Sequence, residues 1–269
     1  MSARVDLDLE IDGRRLEAVE LPGKPDERPL VLLHEGLGSI SAWRGFPEAL
    51  HRATSRRVIA FSRFGHGRSD PPLEPRTPAF FHEEALDVLP QLLRQLDADE
   101  PVLVGHSDGA SIALIHAGTH PVRGLVLIAP HVVVEDVTLA AIRETRERFE
   151  TTDLRERLAR HHDDPDVAFR NWCDVWLDPA FRSWTLEPDA ERVTCPVLLI
   201  QGTDDPYGTV DQLDRIEARV RGPARRVVVP GGHGLDREAP EQLVREVARF
   251  LEEVEEHARR TSGVVDARP

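Results

Sequence analysis

The stretch VLVGHSDGASIALIHAG, residues 102–118, is the part of the chain that decides the fold. An apolar run that reads as a buried strand leads into Gly-His-Ser-Asp-Gly at 105–109, and a helical pattern follows it. Gly-x-Ser-x-Gly between a strand and a helix is typical of a nucleophile elbow, a tight turn that exposes a serine side chain. Ser107 is therefore a candidate nucleophile. The alternative is a serine that only caps the helix of an ordinary βα loop.

Outward from this turn, short apolar runs alternate with helix-like segments. The runs are LVLLH (30–34), RVIAF (57–61), VLVGH (102–106), LVLIA (125–129), VLLIQ (197–201) and RVVVP (226–230), after an antiparallel hairpin over 5–11 and 15–21. Such runs predict strands that are buried on both faces. The helix-like segments cover 41–53, 79–97, 109–119, 209–220 and 237–257. This alternation predicts a mostly parallel α/β sheet with helices on both faces.

The alternation is interrupted once, between the fourth and fifth of the predicted parallel strands. Only helix-like segments occur there, at 137–150, 152–162 and 165–177. An insertion of this kind predicts a helical cap over the carboxyl ends of the strands, where ligands bind in open α/β sheets. We therefore expect a discontinuous core of residues 1–130 and 195–257, a cap at 131–194 and a flexible tail at 258–269.

The composition limits the classes of partner. A formal net charge of -14 disfavours nucleic acid and anionic membranes, which would be repelled, and leaves a small-molecule substrate as the expected ligand. No apolar run approaches the ~18 residues of a membrane span, and the amino terminus has no features of a secretory signal, so we expect a cytoplasmic protein. Cys173 and Cys195 are the only cysteines, which indicates neither a disulfide framework nor a cysteine-rich metal site. A homodimer is left open.

A serine nucleophile needs a base, and the base needs an acid that orients it. Asp204 and Asp205 follow the predicted strand VLLIQ, and His233 lies in Gly-Gly-His-Gly after the last predicted strand. Both segments follow the carboxyl ends of strands, as Ser107 does, so the side chains can converge at one edge of the sheet. Taken singly, the aspartate could be a helix cap and His233 a loop histidine. Together they predict a Ser-His-Asp triad.

Other residues complete the expected site. The backbone amides of Gly36, in the loop HEGLGS at 34–39, and of Asp108 are candidate oxyanion donors. Glu35, Trp172 and Trp176 are candidate pocket residues, although at least one tryptophan among 172, 176 and 184 is expected to pack inside the cap. We expect no metal site and no cofactor. His66 and the pair His161-His162 are interpreted as structural or solvated.

Several signatures occur together and in a consistent order: HEGLGS, FGHGRSD, GHSDG, CPVLLIQGTDDP and GGHGLDREAP. From about residue 28 to 255 the chain resembles the α/β-hydrolase superfamily, and within it the valacyclovirase (biphenyl hydrolase-like) serine hydrolases. The resemblance implies an α/β-hydrolase fold and places the triad acid at Asp205, three residues after Gly202. Two departures are Glu35, where glycine is usual, which bears on Gly36 as a donor, and Phe64, where many members have arginine.

The expected activity is hydrolysis of a small carboxylic ester through an acyl-enzyme intermediate. The same triad would serve a thioesterase, a lactonase, a carbon–carbon bond hydrolase or a perhydrolase, and a ligand receptor or regulatory protein that keeps the fold is the alternative outside enzymes. In the valacyclovirase-like group the residue that corresponds to Asp108 is implied to bind an α-amino group. That resemblance predicts a preference for cationic acyl groups. The alternative is that an arginine or backbone amides hold the Asp108 side chain.

Overall fold

The computed structural model describes residues 4–265, which build one central sheet. The eight strands lie in the order β1-β2-β4-β3-β5-β6-β7-β8. Their bounds are β1 Val5–Ile11, β2 Arg14–Leu21, β3 Leu30–Leu33, β4 Val58–Phe61, β5 Val102–His106, β6 Gly124–Ile128, β7 Val197–Gly202 and β8 Ala224–Val229. The first hairpin is antiparallel and joins β4 in antiparallel register, and all later pairs are parallel. The predicted fold class is confirmed.

Burial follows the apolar runs in the centre of the sheet but not at its last strand. Every residue of β3 through β7 is buried, as continuous apolar runs predict. β8 is the edge strand and is only half-buried, although its run RVVVP looks like the others. Its outward arginines pair with acids, Arg225 with Glu246 and Arg226 with Asp214. These charges also discourage further strand pairing at the open edge.

Helices cover both faces of the sheet. Their bounds are α1 Phe46–Thr54, α2 Phe80–Glu83, α3 Leu89–Gln95, α4 Asp108–Ala117, α5 Asp136–Thr151, α6 Leu154–Leu158, α7 Pro165–Leu177, α8 Glu187–Ala190, α9 Asp211–Glu217, α10 Leu235–Glu238 and α11 Pro240–Val265. A π-helical turn, Glu84–Val88, joins α2 to α3. The predicted start of the first helix at 41 is wrong, because Ser41–Trp43 is a 3-10 turn and α1 begins at Phe46. Within the described residues, no helix is both long and apolar enough to cross a membrane.

The carboxyl-terminal segment is helical to the end of the described residues. A flexible tail was expected from residue 258, but α11 continues to Val265. The apolar face of α11 packs on the sheet through Phe250 and Val254, and the helix extends beyond this contact without a glycine or proline before position 263. Residues 266–269 lie outside the described residues.

The segment between β6 and β7, residues 131–194, is helical and is called the inserted segment below. It packs on the core through aromatic rings. Phe81 of α2 lies 5.8 Å from Phe181 and 4.9 Å from Trp184, and Trp176 lies 5.0 Å from Phe181 between ring centroids. Trp176 is buried and Trp184 is half-buried against these rings, so tryptophan packs inside the inserted segment, as expected for at least one of them. The division of the chain into core and cap remains a prediction.

These rings predict where the inserted segment is most sensitive. Phe181 is 0% exposed, so Phe181→Ala should lower the free energy of unfolding by about 3–5 kcal/mol through lost burial and a residual cavity. Leu73→Ala, at a side chain that is 77% exposed, should change it by less than about 0.5 kcal/mol. Urea unfolding of both variants measures the difference. Equal effects would contradict the proposed anchoring.

Candidate active site

Ser107 occupies a strained turn between β5 and α4. Its φ is 53° and its ψ is -118°, a backbone conformation that residues with side chains rarely adopt. Although Ser107 is the residue before the helix, its side chain makes no capping hydrogen bond. A Cβ atom on Gly109 would lie 2.1 Å from the carbonyl oxygen of Leu33, so only glycine allows α4 to pack this closely on β3. The turn therefore has the geometry of a nucleophile elbow and not of a simple helix cap.

The predicted acid and base meet beside this turn. Nδ1 of His233 lies 2.8 Å from Oδ2 of Asp205, whose side chain is 1% exposed. The Asp205 carboxylate also accepts hydrogen bonds from Nε2 of Gln201 at 2.7 Å and from the amide of Tyr207 at 2.8 Å. Burial alone would raise the pKa of Asp205, but His233 and the amide of Tyr207 lower it. Asp204 is turned elsewhere and accepts from the Thr203 hydroxyl.

His233 is held at the edge of the sheet. Its carbonyl oxygen lies 2.8 Å from Nε2 of His106, the residue before Ser107, so a hydrogen bond ties the histidine loop to the turn. Burial opposes protonation of His233, yet the carboxylate of Asp205 outweighs it and raises the pKa of the imidazole. Ser107 and His233 line the same cavity. Among the hydrogen bonds of residues 4–265, none joins these two side chains directly.

The loop of residues 34–38 is held from beneath by buried side-chain donors. Arg63 donates to the carbonyl of His34 at 2.5 Å and to that of Glu35 at 3.0 Å, and Nδ1 of His34 lies 2.7 Å from the same Glu35 oxygen. Nε2 of His66 lies 2.9 Å from the carbonyl of Gly36. Nε2 of His162 lies 2.9 Å from that of Leu37. Four consecutive carbonyl groups therefore point at buried donors.

This support determines where the loop amides point. In a trans peptide the N–H bond of one residue points in the opposite direction to the carbonyl bond of the preceding residue. The Glu35 carbonyl points at Arg63, so the amide of Gly36 points the other way. Gly36 lines the cavity and packs on Trp172, where a Cβ atom would lie 2.1 Å from the indole. Glu35, the departure from the usual glycine, folds back and accepts from the amide of Leu37 at 2.6 Å.

The histidines that support the loop are neutral. Burial, together with neighbouring cationic groups, holds the pKa values of His34 and His66 well below their usual range, and burial lowers that of His162. We assign the single proton of the His66 ring to Nε2, because Nε2 lies 2.9 Å from the Gly36 carbonyl, whereas Nδ1 lies 3.2 Å from that of Phe64. From the sequence, His66 and His162 are interpreted as structural or solvated, and no role is predicted for Arg63. Arg63 directly precedes the FGHGRSD signature, whereas His162 has no comparable signal.

The side chain of Asp108 is bound by the protein. Its Oδ1 accepts a hydrogen bond from Nε1 of Trp176 at 3.1 Å, and the residue is 1% exposed. Burial raises its pKa to about 6, against the opposing charge of Arg63. This arrangement resembles the alternative expectation, although the donor is an indole and not an arginine or a backbone amide. The amide of Asp108 begins α4, where the first N–H groups have no intrahelical partner.

A cavity of about 390 Å³ opens over Ser107. The three predicted pocket residues, Glu35, Trp172 and Trp176, all line it. It also has lining residues that sequence analysis did not identify: Arg44, His131, His161, Tyr207 and Arg237. In the described part of the chain, no group of three or more histidine, cysteine, aspartate or glutamate side chains is placed to hold a metal ion. The two cysteines are free.

Comparison with known proteins places this geometry in a family. The model of the alpha/beta hydrolase family matches residues 30–246. The human serine hydrolase BPHL is 28% identical over 190 residues, which cover 66% of this chain and 63% of that protein. The putative carbamate hydrolase RutD of Caulobacter sp. is 27% identical over 260 residues, which cover 85% of this chain and 92% of the relative. The chain thus spans just under two thirds of the human relative.

Solved structures agree on the fold. The enol-lactonase from Burkholderia xenovorans superimposes with a TM-score of 0.72 at 22% identity and covers 91% of this chain and 100% of its own. The haloalkane dehalogenase DbeA from Bradyrhizobium elkani has a TM-score of 0.75 at 20% identity and covers 95% of this chain and 100% of its own. At this identity the likeness concerns the fold alone. With the family model matched over most of its length, the chain belongs to the alpha/beta hydrolase family.

Proposed function

We propose that the protein is a serine hydrolase that cleaves small carboxylic esters through Ser107, His233 and Asp205. The observation that carries the proposal is the strained turn that presents Ser107 to a cavity shared with His233, whose Nδ1 is bonded to the buried Asp205. The relatives support hydrolysis in general, since they are named as hydrolases, an esterase and a thioesterase.

In the proposed mechanism His233 removes the proton of Ser107, and the serine oxygen attacks the ester carbonyl. The amides of Gly36 and Asp108 stabilise the oxyanion, His233 protonates the leaving alcohol, and water then releases the acyl group with His233 again as base. Asp205 keeps the imidazole in the tautomer with its proton on Nδ1, since a carboxylate oxygen can only accept.

The support beneath the 34–38 loop fits this mechanism. An oxyanion donor contributes most when it is oriented before the reaction, because no reorganisation is then needed in the transition state. Arg63 and His66 hold the peptides on both sides of the Gly36 Cα atom, so the Gly36 amide is fixed in direction. These residues act through the loop and are positioning residues.

The first test concerns the nucleophile. Ser107→Ala removes one oxygen and should lower kcat for p-nitrophenyl esters by roughly 10⁴-fold or more while leaving the circular dichroism spectrum unchanged. Labelling by a fluorophosphonate should be lost in the same variant. A variant that keeps more than about a tenth of the activity would contradict the assignment. Labelling of the wild type without turnover of any ester, thioester or lactone would favour the receptor alternative.

The second test separates the adjacent acids. Asp205→Asn should lower kcat by orders of magnitude, whereas Asp204→Asn, which loses only the contact with Thr203, should cost far less. Asp205 raises the pKa of His233, and only the neutral imidazole is a base, so the activity of the wild type should fall as the pH drops through a value above 6.5. In Asp205→Asn this acid limb should move to lower pH. The reverse ranking of the two variants would show that Asp204 is the acid.

The third test addresses the loop support. His66→Phe removes the donor to Gly36 and should lower kcat about tenfold to a hundredfold with little change in KM. His66→Gln, which keeps an N–H donor, should recover part of this loss. His116→Phe is a matched control, because His116 is also buried and bonds a carbonyl, but this carbonyl belongs to Ala85, outside the 34–38 loop. If both phenylalanine variants lowered kcat equally, the effect would be one of general stability.

A further inference from the structure

Basic side chains from three separate elements meet at the rim of the cavity. Arg44 follows the 3-10 turn after β3, His161 belongs to the inserted segment, and Arg237 lies on α10 after the His233 loop. All three line the cavity that contains Ser107. Burial lowers the pKa of His161, and the charges of Arg44 and Arg237 lower it further. We call these three residues the basic rim.

The acids of the cavity are already bound by the protein. Glu35 accepts from the amide of Leu37 at 2.6 Å, and Glu238 accepts from that of Gly232 at 2.5 Å. Deeper in the cavity, the Asp108 carboxylate accepts from an indole. These acceptors are therefore satisfied without a ligand.

The arginines of the basic rim differ from these acids, because their hydrogen-bond donors are not used within the described residues. Among the hydrogen bonds of residues 4–265, none is donated by the guanidinium group of Arg44 or Arg237. The Asp236 carboxylate forms a long ion pair with Nε of Arg237 at 4.0 Å, which is too far for a hydrogen bond, and, against the effect of burial, the charge of Arg237 helps to lower the pKa of Glu35. A guanidinium has five N–H donors and no acceptor. The rim consequently offers donors and positive charge to a group that accepts hydrogen bonds.

The rim is also built by specific local structure. Arg44 has a φ of 52° and a ψ of -127°, an unfavourable conformation for a residue with a side chain. Nδ1 of His161 is 2.8 Å from the hydroxyl of Ser41, which ties the inserted segment to the turn that carries Arg44. The guanidinium of Arg237 folds over Gly234, where a Cβ atom would meet it at 2.7 Å, next to His233. Arg44 and Arg237 thus reach the cavity from two separate elements, the turn after β3 and α10.

We propose that the basic rim binds a carboxylate carried by the acyl part of the substrate, so that the preferred substrates are monoesters of short dicarboxylic acids. This inference rests on the proposed function, because it places the scissile ester at Ser107 and the second carboxylate at Arg44 and Arg237. In a chain of net charge -14 the overall field opposes the approach of an anionic substrate, so its recognition depends on this local pair of cations. A planar guanidinium matches the two oxygens of a carboxylate.

The experiment compares kcat/KM for p-nitrophenyl hemiglutarate and for p-nitrophenyl pentanoate, which has an acyl chain of equal length without the charge. The wild type should favour the hemiglutarate by about tenfold, and the preference should shrink as salt rises because the rim is exposed. The double variant Arg44→Gln/Arg237→Gln should abolish the preference for the hemiglutarate. Arg52→Gln is the matched control, since Arg52 is an exposed arginine of α1 that lies outside the cavity lining.

Binding gives a second readout that does not need turnover. Glutarate should bind the Ser107→Ala protein in a calorimetric titration, and the two arginine substitutions should weaken that binding about tenfold. A preference that survives in the double variant would overturn the proposal, as would binding of inorganic phosphate but not of glutarate. If no ester is turned over but glutarate still binds through the arginines, the proposed function fails and the carboxylate site stands. If both esters are turned over at equal rates and glutarate does not bind, the proposed function stands and the carboxylate site fails.

Discussion

The approach of α4 to β3 is the constraint on which the site depends. Because Gly109 has no side chain, the helix after Ser107 lies directly against the last residue of β3, and the 34–38 loop leaves that strand beside the serine. Any larger residue at 109 would push the helix and the strand apart. The distance between the candidate nucleophile and the candidate oxyanion donor is therefore set by backbone packing in the core, and not by flexible side chains.

Buried side chains beneath the 34–38 loop fix the direction in which its peptide groups point. Four carbonyl groups beneath the cavity would be costly to bury without partners, and one arginine and three neutral histidines supply the donors. One of these histidines belongs to the inserted segment, which also packs on α2 through the aromatic rings around Phe181. The inserted segment thus contributes to the floor of the site as well as to its wall.

The sequence predicts the fold and the convergence of the triad candidates, but not the contacts between residues that are far apart in the chain. Strand order along the chain and the glycine-flanked turn predict the fold and bring Ser107, Asp205 and His233 to one edge of the sheet. The half-buried state of β8 depends on its position at the edge of the sheet, which a local pattern does not specify. The contacts of His162 with the loop and of Trp176 with Asp108 join residues 125 and 68 positions apart, and no spacing rule links such positions.

The neutral histidines have a consequence for proton linkage. Burial or nearby cations depress the pKa of seven imidazoles: His34, His66, His106, His116, His131, His161 and His162. Each regains an ordinary pKa near 6.5 when the chain unfolds, so unfolding below that pH takes up protons and stability falls as the solution is acidified. His233 has the opposite shift and is protonated first. On acidification the proposed catalytic base is therefore protonated before the neutral histidines take up the protons that favour unfolding.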